Sequence, residues 1–358
     1  MTSPSHGPFQ AAYDLFPEHE IPFLQSAKKR LERARPYEGL KILHNIPLTM
    51  ESLHKVHALL LGGAEISVTS PSFMEPKADA IAVMKAAGVP VLLANDPLPS
   101  EVDVTLDCAG ELIDRVTPRI GAVELTGTGT QRYLARTDLN YPVISVDQSS
   151  VKNLEALLGT GDAFVRAFVE LTGESLKARS VMLFGFGKVG QGIAHALAPS
   201  HCQVTIVETD PHKIGRASRA GYVCIDGADR ASVEQAAREA FVVVTATGRK
   251  GIVSELYDPT AFRNAAYLAN MGGEDEFGSA FSASEIMVEK KPINFAIDHP
   301  TQIRYLDPVF HAHNLGIELL LFANLAPGHY AFPEFIAEEI TSTWQSLFNL
   351  DISSLLAQ

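Results

Sequence analysis

The sequence predicts an α/β protein of two domains, each a parallel sheet flanked by helices, and three observations carry that reading. The chain has 358 residues, of which 46% are hydrophobic, enough for two cores at roughly 150 residues per domain. Short β-rich runs alternate with amphipathic stretches along most of its length. A glycine-rich turn at Gly185–Gly190 stands between a strand pattern and a helix pattern, which marks the second domain as a Rossmann domain.

From Gly39 the elements follow in order. KILHNI, AEISVTS and VPVLLAN read as strands, with MESLHKVHALLLGG and KADAIAVMKAAG as the helices between them. In the first helix Leu53, Val56, Leu60 and Leu61 form one apolar face, and Gly62-Gly63 is its stop signal. VDVTLD, IGAVELT and YPVISVD continue the sheet, so the first 147 residues form one α/β unit with function expected in its loops. A helical segment at roughly 149–172 leads to a second series, SVMLF, QVTIVE, YVCIDG, FVVVTATG, AAYLANMG and PINFAIDHP. After His299 the pattern is helical and returns to the first domain. The expected division is 1–148 with 300–358 as the substrate-binding domain, 162–298 as the dinucleotide-binding domain, and 149–161 and 297–301 as hinges. No internal repeat or low-complexity tract interrupts the series.

Charge and composition narrow the function classes. The net charge of −13, with no block of consecutive basic residues, argues against a nucleic-acid partner. The longest apolar run, near 317–325, is about half of the roughly 20 residues a membrane span needs and contains Glu318, so no span is expected. The polar, acidic N-terminal segment lacks the basic and apolar regions of a secretory signal, which leaves the cytoplasm as the expected location. Cys108, Cys202 and Cys224 have no CxxC spacing and read as reduced thiols. His54 with His57, and His311 with His313, lack a third ligand at suitable spacing, so no metal site is expected.

The turn Gly185-Phe186-Gly187-Lys188-Val189-Gly190 follows SVMLF and opens the helix QGIAHALA. Its glycines permit a tight turn and the close approach of a pyrophosphate, which then lies on the positive end of the helix dipole. Glu208, at the end of QVTIV, accepts bonds from both ribose hydroxyls and repels a 2′-phosphate, which selects NAD over NADP. Thr245, Thr247 and Gly248 end one later strand, Met271 and Gly272 another, and both loops are expected to line the nicotinamide.

Several segments beyond this fingerprint resemble the S-adenosylhomocysteine hydrolase family. LTMESLHKVHALLLGGAEI resembles its MTVET helix and LGAEV strand, VTLDCAGEL its LDDGGDL, and GAVELTGTGT its SEETTTG. YPVISVDQSSVKNLEALLGTGDAF resembles the lysine-bearing segment before GYGDVGKG, here GFGKVGQG. VTATG, NMGGED and INFAIDHP resemble VTTTG, NIGHFD and VNLGCAMGHP in the same order. The resemblance implies an NAD that oxidises the 3′-hydroxyl of adenosine, a base that removes the acidified 4′-hydrogen, elimination of the 5′ group, addition of water, and re-reduction. It implies Thr49 and Glu51 on the adenine side, Glu124 on the ribose, and Thr126 and Asn294 among the cofactor contacts. Lys152, Glu155, His299 and Asp107 are the implied catalytic groups, with His299 also touching substrate. An ungapped alignment sets Val151 at the family's lysine, and a one-residue slip brings Lys152 there. Pro47 and Gly273 replace histidines, Cys108 replaces a functional aspartate, and DISSLLAQ has no counterpart of the family's C-terminal tail.

These departures favour a diverged reaction, such as dehydration or carbon–carbon chemistry on an adenosine-like nucleoside, over plain hydrolysis. The alternatives are a true S-adenosylhomocysteine hydrolase, a non-catalytic NAD- and adenosine-binding relative, and an open dehydrogenase that releases NADH. A homodimer or homotetramer is the expected assembly.

Overall fold

The computed structural model describes residues 6–93, 96–350 and 352. The closing DISSLLAQ segment, Ile352 apart, and the expectation attached to it lie outside the described residues. Along the chain come α1 (Gln10–Leu15), α2 (Pro22–Ala34), β1 (Lys41–Asn45), α3 (Met50–Leu61), β2 (Glu65–Thr69), α4 (Ala78–Ala86) and β3 (Val91–Leu92). Then follow β4 (Val104–Asp107), β5 (Gly121–Glu124), α5 (Gly127–Leu134), β6 (Pro142–Ser145), α6 (Ser150–Asn153), a wide π turn (Leu154–Gly159) and α7 (Thr160–Thr172). The next series is β7 (Ser180–Phe184), α8 (Lys188–Leu197), β8 (Gln203–Glu208), α9 (Pro211–Arg219), β9 (Val223–Asp226), α10 (Arg230–Glu239) and β10 (Val242–Thr245). The chain continues through α11 (Ile252–Leu256), α12 (Pro259–Phe262), β11 (Tyr267–Asn270), α13 (Ile303–Phe322), β12 (Gly328–Ala331) and α14 (Glu334–Phe348).

The chain divides into two compact units, residues 1–154 with 303–358 and residues 155–302. The first unit holds a seven-stranded sheet, ordered β12-β6-β5-β4-β1-β2-β3 and parallel throughout. Its chain winds from β1 outwards to β3, then crosses to β4 on the other side of β1. That reversal opens a crevice at the carboxyl ends of β1 and β4, where α/β sheets bind ligands. The second unit repeats the scheme with five parallel strands, β11-β10-β7-β8-β9, and its reversal lies between β7 and β10.

Both faces of the second sheet are covered, as parallel sheets require. Val181 and Leu183 of β7 point into one core with Phe164, Phe168 and Ile193, while Met182 and Phe184 point into the other with Val253, Phe262 and Phe277. Alternation along the strand assigns these sides. Helix starts are set by acceptor side chains: Asp210 receives the His212 N–H at 2.8 Å, and Asp229 receives that of Ser232 at 3.2 Å.

Three elements differ from the sequence expectation. PINFAIDHP is not a strand: only Pro292 bridges Asn270, and Ile293–Ala296 forms a 3₁₀ turn, because proline cannot donate to a ladder. The acidic N-terminal stretch, read only for targeting signals, holds α1 and α2. The short strand GHYA, flanked by the two closing helices, adds β12 to the edge of the first sheet.

Candidate functional site

In the second unit the turn after β7 is built around backbone proximity. Gly185 has φ of +91°, and a methyl group there would lie 2.6 Å from the Ala246 carbonyl oxygen. A methyl at Gly190 would overlap the Gly185 carbonyl. Gly187, the N-cap of α8, has no atom within 4 Å of where its Cβ would stand. The turn therefore offers an open cradle facing the N–H groups at the start of a ten-residue helix, which suits a pyrophosphate. Lys188 is exposed and Val189 half-buried at this helix start.

Glu208 closes the far side. One oxygen accepts the Phe186 N–H at 2.9 Å, and the other accepts those of Thr209 and Asp210 at 2.8 and 3.2 Å. Burial works to raise its pKa, but these donors and Lys213, 3.8 Å away, outweigh it and hold the carboxyl below its ordinary value. Gly185, Gly187, Glu208, Lys213, Thr247 and Tyr257 line a cavity of about 270 Å³. Glycine cradle, helix start and terminal acid are the donor and acceptor set a dinucleotide requires.

The loops after β10 and β11 lie at the same edge of the sheet. The Thr245 hydroxyl donates to Asn270 Oδ1 at 3.0 Å, and the Met271 N–H donates to the Thr245 carbonyl at 2.8 Å. Asn270 Nδ2 ties Glu274 and Lys290 through their carbonyls at 2.7 Å each. Gly272 and Met271 are buried, and Asn294 is buried in the 3₁₀ turn beside the Asn270–Pro292 bridge. Glu276, which sequence reading passed over, receives the Thr247 N–H, the Thr247 hydroxyl and the Gly248 N–H at 2.8, 2.7 and 2.6 Å. His299 is partly buried, and the Arg166 guanidinium holds its backbone carbonyl at 3.0 Å while pairing with Asp162 at 2.8 Å. Glu155 is half-buried within the π turn.

In the first unit the crevice is lined by carboxylates. Asp107 and Glu124 stand opposite each other on β4 and β5, and both are fully buried. Asp107 receives Asn45 Nδ2 at 3.1 Å, the Cys108 N–H at 2.8 Å, the Leu112 N–H at 3.0 Å and the Tyr133 hydroxyl at 2.9 Å. These four donors fold the Cys108–Leu112 loop around it. In that loop Ala109 and Gly110 both have positive φ, 66° and 62°, so their N–H groups converge on Glu124 at 3.2 and 3.0 Å. The Thr126 N–H and hydroxyl complete the shell, each at 2.7 Å. Thr126 also caps α5, its oxygen receiving the Gly129 N–H at 3.1 Å. A methyl at Gly129 would overlap the Glu124 carboxylate. Burial, reinforced by the Asp107 charge, pushes the Glu124 carboxyl up to about 7, and burial also raises Asp107.

Thr49 and Glu51 open α3 at the same edge and are buried. Lys152 is buried in α6, two residues before the helix widens at Leu154, and a π turn takes up one residue of phase. Beneath them lies a cluster that sequence reading missed. Lys55 Nζ sits 2.8 Å from His44 Nε2 and 2.6 Å from His313 Nδ1, and His313 Nε2 lies 2.9 Å from the Val123 carbonyl oxygen. All three are fully buried, and burial drives each pKa well below its ordinary value. Its signal was a lysine four residues after Glu51 on the face of α3 that carries Val56 and Leu59. Asp307 caps α2, accepting the Phe23 and Leu24 N–H groups at 2.9 and 2.8 Å. Among the described residues no group of three His, Cys, Asp or Glu could hold a metal, and none of the three cysteines is in a disulfide. No described helix is long and apolar enough to cross a membrane.

Comparison with known proteins bears on this geometry. Residues 156–302 match the family model described as "S-adenosyl-L-homocysteine hydrolase, NAD binding domain". A protein of Methanopyrus kandleri named S-inosyl-L-homocysteine hydrolase is 24% identical over 94% of this chain and 89% of its own. Adenosylhomocysteinases of Sulfolobus acidocaldarius and Thermoplasma acidophilum are 27% and 28% identical, over 77% and 76% of this chain and 70% of each of theirs. Residues 156–302 therefore form an NAD-binding domain, and the chain is similar, at 24% to 28% identity, to the S-adenosylhomocysteine hydrolases.

Proposed function

We propose that the protein is an NAD-dependent enzyme acting on an adenosine-type nucleoside through transient oxidation of a sugar hydroxyl, proton removal at the adjacent carbon, and elimination or addition there. The observation that carries the reading is Glu124. It is a buried carboxylate in a backbone nest at the sheet crevice, and among the described residues its Oε2 takes the Gly110 N–H alone, which leaves capacity for a sugar hydroxyl. When bound, NAD supplies and takes back the hydride. Thr49 and Glu51 receive the base of the nucleoside, and Glu124 orients the ribose. Asp107 acts through the Cys108–Leu112 loop to hold that carboxylate. Lys152 is the proton acceptor, with Glu155 as its acidic neighbour in sequence and His299 as the proton shuttle. Thr126 and Asn294 complete the cofactor contacts.

Pro47 and Gly273 carry no transferable proton, so the departure of a 5′ thiolate lacks the imidazoles the family resemblance would supply. This favours dehydration or another tailoring reaction of the nucleoside over hydrolysis. A homo-oligomer in the cytoplasm is the proposed setting. Mass spectrometry of adenosine incubated in D2O with catalytic protein tests the reading. One deuterium at C4′, lost in Lys152→Met, supports it; no exchange with adenosine or inosine contradicts it. Release of homocysteine from S-adenosylhomocysteine would instead identify a true hydrolase.

A further inference from the structure

The carboxylate of Glu276 is fully buried, and each of its three contacts, from Thr247 and Gly248, is a donor. Burial raises its pKa above the ordinary value, while its donors oppose that shift and are the set an ionised, acceptor-only carboxylate takes. The neighbouring cations are engaged elsewhere, Arg249 with Glu255 at 3.0 Å and Lys290 with Asp275 at 2.9 Å. Among the described residues no cation pairs with Glu276, so its negative charge is balanced by two backbone N–H dipoles and one hydroxyl.

The position of this charge matters. The segment carrying Glu276 is sewn to the start of α11, through the Gly251 N–H to the Asp275 carbonyl at 2.8 Å and the Val253 N–H to the Glu276 carbonyl at 3.1 Å. A methyl at Gly272 would overlap Glu276 Oε1, so the acid lies directly beneath the loops that end β10 and β11. Glu208, at the end of β8, marks the adenosine half of the cofactor site. The loops after β10 and β11 belong to the other mononucleotide half of the sheet.

We propose that Glu276 biases this site towards the oxidised cofactor: its fixed, buried negative charge favours the cationic nicotinamide ring of NAD+ over the neutral ring of NADH. The inference rests on the assignment of NAD and not on the identity of the substrate. By accepting the Thr247 hydroxyl hydrogen, Glu276 also fixes that side chain, whose oxygen in turn accepts the Arg249 N–H at 3.0 Å. The bias suits a cofactor that must be NAD+ at the start of every turnover.

Direct binding to full-length protein stripped of cofactor tests this, with NADH followed by fluorescence and NAD+ by competition. The wild type is expected to bind NAD+ more tightly than NADH. Glu276→Gln is expected to raise the ratio Kd(NAD+)/Kd(NADH) about tenfold, the size of an unscreened charge acting across a protein site. Glu276→Asp should keep the wild-type ratio. Thr247→Ala, which disturbs the loop but leaves the charge, should weaken both forms equally. Equal loss of both forms in Glu276→Gln, or an unchanged ratio, overturns the proposal. So does a wild type that binds NADH at least as tightly as NAD+, whatever the variants do, and a wild type that binds neither removes the cofactor assignment with it.

Discussion

Glu124 is a site residue whose chemistry changes with pH near neutrality. Its carboxyl titrates at about 7 inside the fold against an ordinary 4.5, because burial and Asp107 disfavour the charge. The folded chain thus keeps a proton that the unfolded chain releases, and ionisation between these values costs the fold on the order of 3 kcal/mol. Sugar hydroxyls donate to the ionised form, so nucleoside affinity should rise through neutrality and level off above it. Calorimetric titrations at pH 6, 7 and 8 should show this in the wild type and a flat, weak profile in Glu124→Ala. Lys55 carries the opposite sign. Its folded pKa lies well below 10.5, so between the two values the unfolded state binds the extra proton and stability rises with pH towards 10. Lys55→Met should flatten that rise, by up to roughly 1.4 kcal/mol per pH unit, in denaturant titrations at pH values approaching 10. An unchanged slope would mean that Lys55 is charged in the native state.

At the scale of elements, two glycines decide how closely helices approach. A methyl at Gly192 would overlap the Leu157 carbonyl oxygen, and one at Gly161 the Gly192 carbonyl. Gly192→Ala should lower stability by about 2 kcal/mol or more, because backbone must move. Gly215, within α9 with no atom within 4 Å of its absent Cβ, should instead gain about 1 kcal/mol on substitution by alanine. Thermal melting of the two variants gives shifts of opposite sign if this packing holds. The alternation of β-rich and amphipathic runs made the parallel-sheet architecture legible, since each strand is short, apolar and followed by a turn. PINFAIDHP misled because an apolar run with proline at its start can be read as a strand without a donor to join the ladder. The Lys55 cluster and Glu276 were illegible for another reason. Each depends on partners brought from distant strands and helices, such as His313 reaching Lys55 from α13, and spacing along one segment carries no trace of that.

The molecule as a whole uses one winding scheme twice. Each sheet reverses direction beside its first strand, and each places its chemically distinctive residues at the carboxyl ends flanking that reversal: Asn45, Asp107 and Glu124 in one, Gly185, Thr245 and Asn270 in the other. Cofactor added to stripped protein should therefore slow hydrogen exchange chiefly within 155–302, at the turns around 185–190, 208 and 245–248. Protection confined to the first unit would contradict the assignment. The most direct test of the account begins with protein as purified, denatured to release its small molecules for mass spectrometry, with a second sample mixed with adenosine and followed at the absorbance of reduced nicotinamide. The account predicts co-purified NAD that becomes reduced, stays bound and reaches no more than one equivalent per chain. Absence of any dinucleotide, or reduced cofactor that accumulates steadily in solution, would contradict it.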